Sequence, residues 1–348
     1  MVQWFGKPRH SPIGVDVGSC AVKLLQFDRE RRQVTAAARC DLPADPAERT
    51  DERVAAALAR AREGRTFRGR EAVFCLGAGD LFVQNIRVPQ AAGDELRKAV
   101  CAEASGRLPY RADEAEIRFV EAGDVRQGDA VRREIILLAC HRPTVARIIG
   151  LAERAGLVPV GIDVEPAALL RSFARQFRRD NDQERRMMFV SVGATCTRVV
   201  IARGVDAMFV KYLDLGGRRL DEALAQHLRM PLDEAAVLRR HSGDRRADQR
   251  DPEVARSVQD AARPVFDRLA SELAMCVRYD SVTFRGQPLA QVVLGGGEAS
   301  DALAEWLAAR LGLPCEVGNP LRAFEQVPAL GRTAQWDVAA GLALREVN

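Results

Sequence analysis

The chain has 348 residues, of which 47% are hydrophobic and 29% charged, with a formal net charge of +4. That length holds two domains or one large bilobal body, and the composition excludes wholesale disorder, collagen-like repeats and a coiled-coil fibre. The near-neutral balance argues against nucleic acid as a partner, and no uncharged apolar run approaches the ~18 residues of a membrane span.

Residues 1–11 read as a polar tail without signal-peptide character. IGVDV (13–17) is an apolar strand closed by Gly18 and Ser19, and AVKLLQF (21–27) is a second. With QVTAAARC (33–40) they predict an antiparallel meander. A helix over 48–63 places Val54, Leu58 and Ala61 on one face. EAVFCLG (71–77) and LFVQNIRVP (81–89) are strands; a helix near 94–106 and the strand REIILLAC (133–140) follow. Val145, Ile148, Ile149 and Ala152 predict an amphipathic helix ended by Gly156. VPVGIDVE (158–165) is a strand, PAALLRSFARQF (166–177) a helix, and the charged run 178–186 a linker.

The opening pattern then returns. MMFVSVGATCTRVVIARGVDAMFVKYLDL (187–215) reads as strand, glycine turn, strand, turn, strand. Laid over the first copy at an offset of 175 residues, Gly193 falls on Gly18 and Arg198 on Lys23. Self-similarity at half the chain length points to a duplicated domain. Helices are expected over 219–229, 233–240 and about 253–280, the last bent at Pro264, with a polar loop before it. LAQVVLGGGEAS (289–300) is strand, triple glycine and helix start; Pro-containing turns (314–328) and a terminal helix (336–346) close the chain. Eight cysteines form no CxxC pair and suit a reducing compartment.

Three elements suggest phosphate chemistry. In VDVGSCAVK, Gly18 lets backbone N–H groups approach an anion, Ser19 adds a hydroxyl, and Lys23 adds charge, in a chain with 48 arginines and only four lysines. Asp16 could hold Mg²⁺ through water. Gly193, Ala194 and Thr195 offer donors from the second hairpin. Gly295, Gly296 and Gly297 stand between a strand and a helix start, where a side chain would take a ligand's space. No Walker A or GxGxxG dinucleotide motif is present.

This order resembles the actin-like ATPase superfamily. Residues 13–23 and 190–198 resemble its two phosphate motifs, 292–299 its adenosine motif, and 163–168 (DVEPAA) and 337–344 (DVAAGLAL) its connecting helices. LGGRRLDEAL (215–224) is similar to the segment beside the adenosine, which puts Gly217, Asp221 and Glu222 there. Cys20 stands where a small hydroxyl residue is common, Ser191 stands where the second hairpin normally opens with Asp, and Glu165 takes the place of a water-orienting residue. RLPYRADEAEIRF (107–119), LLACHRPTVARIIGLAERAGLVPVGIDVEPAAL (137–169) and AAGLALR resemble the PilM family of type IV pilus assembly proteins, on the FtsA-like branch.

The resemblance implies an α/β, actin-like bilobal fold built from duplicated ribonuclease H-like halves. It implies a first lobe over 12–82, an inserted FtsA-type subdomain (1C-like) over 83–162, and a connecting helix and linker over 163–186. The second lobe would span 187–331, with 215–260 as its small subdomain, and 332–348 would return to the first lobe. It implies bound ATP and Mg²⁺ with at most very slow hydrolysis, and a PilN-like inner-membrane partner that presents its cytoplasmic N-terminal peptide. Other pilus components and a ring of copies below the inner membrane complete the expectation, with the chain itself cytoplasmic at the inner face. A small-molecule kinase of the same superfamily and a scaffold that has lost nucleotide binding are the alternatives. The inserted subdomain, with Tyr110 and Phe119, is the expected peptide-binding part.

Overall fold

The computed structural model describes residues 9–174, 184–244, 251–286 and 288–346. Most of the expected tail, the linker as far as residue 183, the loop core 245–250 and the last two residues lie outside them. β1 (Ile13–Val17), β2 (Ala21–Asp28) and β3 (Gln33–Asp41) form the expected meander, followed by α1 (Asp51–Arg62) and β4 (Glu71–Leu76). β5 (Phe82–Pro89), α2 (Gly93–Ser105), β6 (Ala115–Gln127) and β7 (Ala130–His141) come next, then α3 (Arg142–Arg154), β8 (Val158–Val164) and α4 (Glu165–Ala174). The second half runs β9 (Arg186–Val192), β10 (Thr197–Arg203), β11 (Asp206–Leu213), α5 (Gly217–Leu228), α6 (Leu232–Asp244) and α7 (Pro252–Thr283). It ends with β12 (Leu289–Gly295), α8 (Asp301–Leu311), β13 (Cys315–Val317) and α9 (Asp337–Ala343). α7 continues through Pro264, where a bend was expected.

Two five-stranded sheets have the same order, β3-β2-β1-β4-β8 and β11-β10-β9-β12-β13. In each, an antiparallel hairpin leads into parallel strands. β1 and β9 sit at the centres of their sheets, covered on both faces, which is why they read as nearly unbroken apolar runs. Ile13, Val15 and Phe74 lie in one lobe's core, and Met188, Val190 and Leu273 in the other's.

α4 and α9 cross between the sheets. A Cβ at Gly341 would overlap the Ala168 carbonyl, and one at Gly14 would overlap the Ala339 carbonyl. The two helices therefore approach each other, and α9 approaches β1, at backbone distance. Phe173 of α4 stacks on Phe189 of β9, ring centroids 5.8 Å apart, so the first lobe's helix is part of the second lobe's core.

β5, β7 and β6 make a third, antiparallel sheet in the order β5-β7-β6, with α2 packed on one face through Leu96 and Val100. β6 has no counterpart in the predicted elements. It carries many exposed charged side chains and few buried apolar ones, so its periodicity is weak. Residues 142–162, grouped with the insert from sequence, lie elsewhere. β8 pairs in parallel with β4, and Ile148, Leu151 and Ala152 of α3 join the first lobe's core. The third sheet ends at His141. Its Glu134, fully buried, is bonded by Arg87 at 2.7 Å and by Tyr279 of α7. Arg87 also donates to Thr283 at 3.2 Å, so the insert is braced on the second lobe. Phe119 packs inside the insert and Tyr110 stacks on His141.

Gly341→Ala is expected to lower stability by about 3 kcal/mol or more, because the Ala168 carbonyl has no room to yield. Gly79→Ala, which meets open space, should stay within about 0.5 kcal/mol. Urea unfolding midpoints of the two variants check this.

Candidate functional site

The two glycine hairpins share one construction. Asp16 faces Lys23 across β1 and β2, and Ser191 faces Arg198 at the equivalent register of β9 and β10. Each turn closes on its first glycine: Gly18 donates to the Ala21 carbonyl at 3.0 Å, and Gly193 to that of Cys196 at 2.9 Å. The tips meet between the lobes, where the Thr195 hydroxyl donates to that of Ser19 at 3.3 Å. Cys20 is exposed beside this contact.

The basic residues behind the hairpins are wired crosswise. Lys23 pairs with Asp16 and donates at 3.0 Å to the carbonyl of Gln335, just before α9. Arg198, from the second lobe, pairs with Glu165 at the start of α4. Tyr212 of β11 donates to the other Glu165 oxygen at 3.1 Å. Burial and Glu165 push the Tyr212 phenol well up, so it remains a proton donor. Burial opposes the charge of Arg198, but Glu165 outweighs it and holds the guanidinium protonated. Glu165 is 1% exposed with both oxygens engaged, so it is not free to orient a water as the sequence suggested.

Asp16, Cys75 and Glu165 each present a ligand atom within 4.8 Å of the others. Burial keeps Cys75 a thiol. Among the described residues, three buried oxygens make no well-formed hydrogen bond: Asp16 Oδ1, Ser191 Oγ and Asp337 Oδ2. Burial pushes the Asp337 carboxyl up, while Lys23, the Ser191 hydroxyl and Arg198 pull it down.

The expected adenosine side is rearranged. Asp221 is bound by Arg239 Nε at 2.6 Å, and the same guanidinium binds Glu298 at 2.5 Å and the Gly217 carbonyl at 3.3 Å. Glu222 turns outward to Arg218 and Arg219. The Gly217 N–H donates to the Gly193 carbonyl at 3.0 Å and that of Arg218 to Ala194 at 2.7 Å. The start of α5 thus caps the second hairpin. Of the three glycines 295–297, only Gly297 faces open space. Gly296 has φ +87° and a Cβ there would overlap the Val192 carbonyl, so this glycine is required by the chain path. A Cβ on Gly295 would lie 2.5 Å from Asp337 Oδ2.

Arg198 was visible in the sequence as the counterpart of Lys23, but its partner Glu165 was not. Tyr212, Arg239 and Glu298 carry no local signal, and nothing within DVAAGLAL singles out Asp337.

A second concave feature lies between β5 and β11, an open groove of about 640 Å³ whose walls include Phe82, Gln84, Val210, Tyr212, Met275 and Tyr279. Both strands are sheet edges, and the Asn85 amide bonds the Val210 carbonyl at 2.8 Å.

Duplicated sheets of matching order, two glycine hairpins meeting between them and two helices crossing beneath define an actin-like bilobal protein. A solved structure of the ethanolamine utilization protein EutJ from Carboxydothermus hydrogenoformans shares this fold (TM-score 0.55, 17% identity, 97% of this chain and 90% of that one). The "PilM-PilN type IV pilus biogenesis complex" matches at TM-score 0.81 and 25% identity over 98% of this chain and all of that one. A family model described as type IV pilus assembly protein PilM matches residues 14–347, and the chain belongs to that family. Among the described residues no helix is long and apolar enough to cross a membrane.

Arg198→Met leaves Glu165 buried without its counter-charge and is expected to cost about 3–5 kcal/mol in denaturant unfolding. The double variant Glu165→Gln/Arg198→Met removes both charges and should recover most of that loss.

Proposed function

We propose that this protein is an ATP-binding assembly scaffold of a type IV pilus or related secretion machine. It holds the cytoplasmic N-terminal peptide of a PilN-like inner-membrane protein and works in a ring of copies at the inner face of that membrane. The observation that carries this reading is the whole-chain likeness to a PilM solved with PilN.

The nucleotide would lie between the hairpins, with backbone donors at Gly18, Ser19, Gly193, Ala194 and Thr195 and with Lys23 about its phosphates. Cys20 borders that space, and Gly297 leaves room on the adenosine side. Asp16 offers a buried oxygen without a partner among the described residues, which suits a hard cation such as Mg²⁺. Bound Mg²⁺ would neutralise phosphate charge. Turnover would be barely measurable, because Ser191 carries no charge and Glu165 is tied to Arg198 and Tyr212. The same engagement leaves a kinase without a free base at Glu165. The groove between β5 and β11 offers an extended peptide two strand edges, a familiar mode of peptide capture.

Mg-ATP at about 100 times its dissociation constant should stabilise the chain by about 2.7 kcal/mol, read as a thermal midpoint raised by several degrees. Phosphate release should stay near background, and a labelled N-terminal peptide of a PilN-like protein should bind with saturation. No thermal response to ATP would leave the scaffold without nucleotide, and brisk phosphorylation of a small hydroxylated substrate would leave the kinase.

A further inference from the structure

We propose that Asp337 supplies the second carboxylate of a divalent-cation site whose other protein oxygens come from Asp16 and Ser191. It would do from a connecting helix what the second hairpin, with serine at its acidic position, cannot do. The inference rests on the nucleotide reading above, because the cation would accompany the phosphates.

Asp337 is 1% exposed. Its Oδ1 accepts from the Val338 N–H at 2.8 Å, which fixes the carboxylate against its own helix, and its Oδ2 makes no well-formed hydrogen bond among the described residues, though the Ser191 hydroxyl lies close enough to the carboxylate to act on it. Oδ2 sits 2.5 Å from where a Cβ of Gly295 would stand. Gly295 is the strand partner of Ser191, so the carboxylate lies over the pair of strands that carries the serine. The absence of a side chain at Gly295 makes room for it. Ser191 Oγ and Asp16 Oδ1 are likewise buried and make no well-formed hydrogen bond among the described residues. Lys23 bonds the other Asp16 oxygen and the Gln335 carbonyl, but not Asp337 Oδ2.

A buried carboxylate with an unpartnered oxygen is costly in its charged form. A hard divalent cation relieves that cost, because it takes oxygen ligands, keeps several waters and is commonly held by one or two carboxylates plus phosphates. The cluster of Asp16, Cys75 and Glu165 suits it less: one donor is a thiol, and Glu165 already serves Arg198 and Tyr212.

The test uses the full chain at saturating ATP, titrated with Mg²⁺ while the thermal midpoint is read. Asp337→Asn is expected to raise the half-saturating Mg²⁺ concentration at least ten-fold. Asp337→Ser, smaller and uncharged, should do the same and guards against a packing fault of the amide. Moving the carboxylate back to the hairpin, in Ser191→Asp/Asp337→Asn, should restore most of the response. An unchanged Mg²⁺ requirement in the folded single variants overturns the assignment while ATP binding stands. If the single variants fail to fold, a double variant that folds and needs ten-fold more Mg²⁺ than the native chain overturns it too. A native chain whose midpoint ignores ATP with or without Mg²⁺ overturns the nucleotide reading and this inference with it.

Discussion

The arrangement turns on two buried carboxylates, Asp16 and Glu165, and the half-buried cations that serve them. Arg198 grows from the second lobe and finds its counter-charge on the first lobe's connecting helix. Lys23 grows from the first lobe, neutralises Asp16, and reaches the carbonyl before the other connecting helix. A buried charge is tolerable only when paired and hydrogen-bonded. The Arg198–Glu165 ion pair therefore joins the lobes, while Lys23 is neutralised within its own lobe and adds a hydrogen bond to the segment before α9, so the lobes are held in register by chemistry as well as by packing. The crossing of α4 and α9, with Gly341 and Gly14 permitting backbone contact, brings the helix starts to the places where Lys23 and Arg198 can reach them.

The insert adds a third tie. Its sheet starts directly after the first lobe's β4, yet Glu134 and Arg87 are bonded to α7 of the second lobe. Val125 packs with Met208 and Phe284 in the same region. Tyr212 then links two features that look separate: its ring forms part of the groove wall, and its hydroxyl holds Glu165 in the interlobe cleft.

The meander, the repeated hairpin and the strand before the triple glycine were legible because central, doubly covered strands are continuous apolar runs with glycine turns. The half-chain offset correctly placed Arg198 on Lys23, and the register of the two hairpins repeats it. β6 was not legible, since its exposed charges mask the alternation, and β13 is only three residues long. The insert's far boundary was misplaced because a strand's sheet partner is a long-range fact: β8 follows the insert in sequence but pairs with β4. The glycines illustrate the same limit. GGG looks uniform in the sequence, yet Gly295 makes room for a carboxylate, Gly296 allows a turn, and only Gly297 faces open space. Asp221 shows that a residue type alone does not reveal its partner, here an arginine eighteen residues on.

The crossed wiring also bears on how such a gene could be divided. The duplication suggests two halves, each with its own sheet and core. Expressed apart, the first half would keep Glu165 without Arg198, and the second would keep Arg198 without Glu165. Phe173 would leave the ring it stacks on, and α9 would lose β1. The halves are modules by descent but not by thermodynamics, so fragments cut in the charged stretch between them should be soluble and ordered only when produced together.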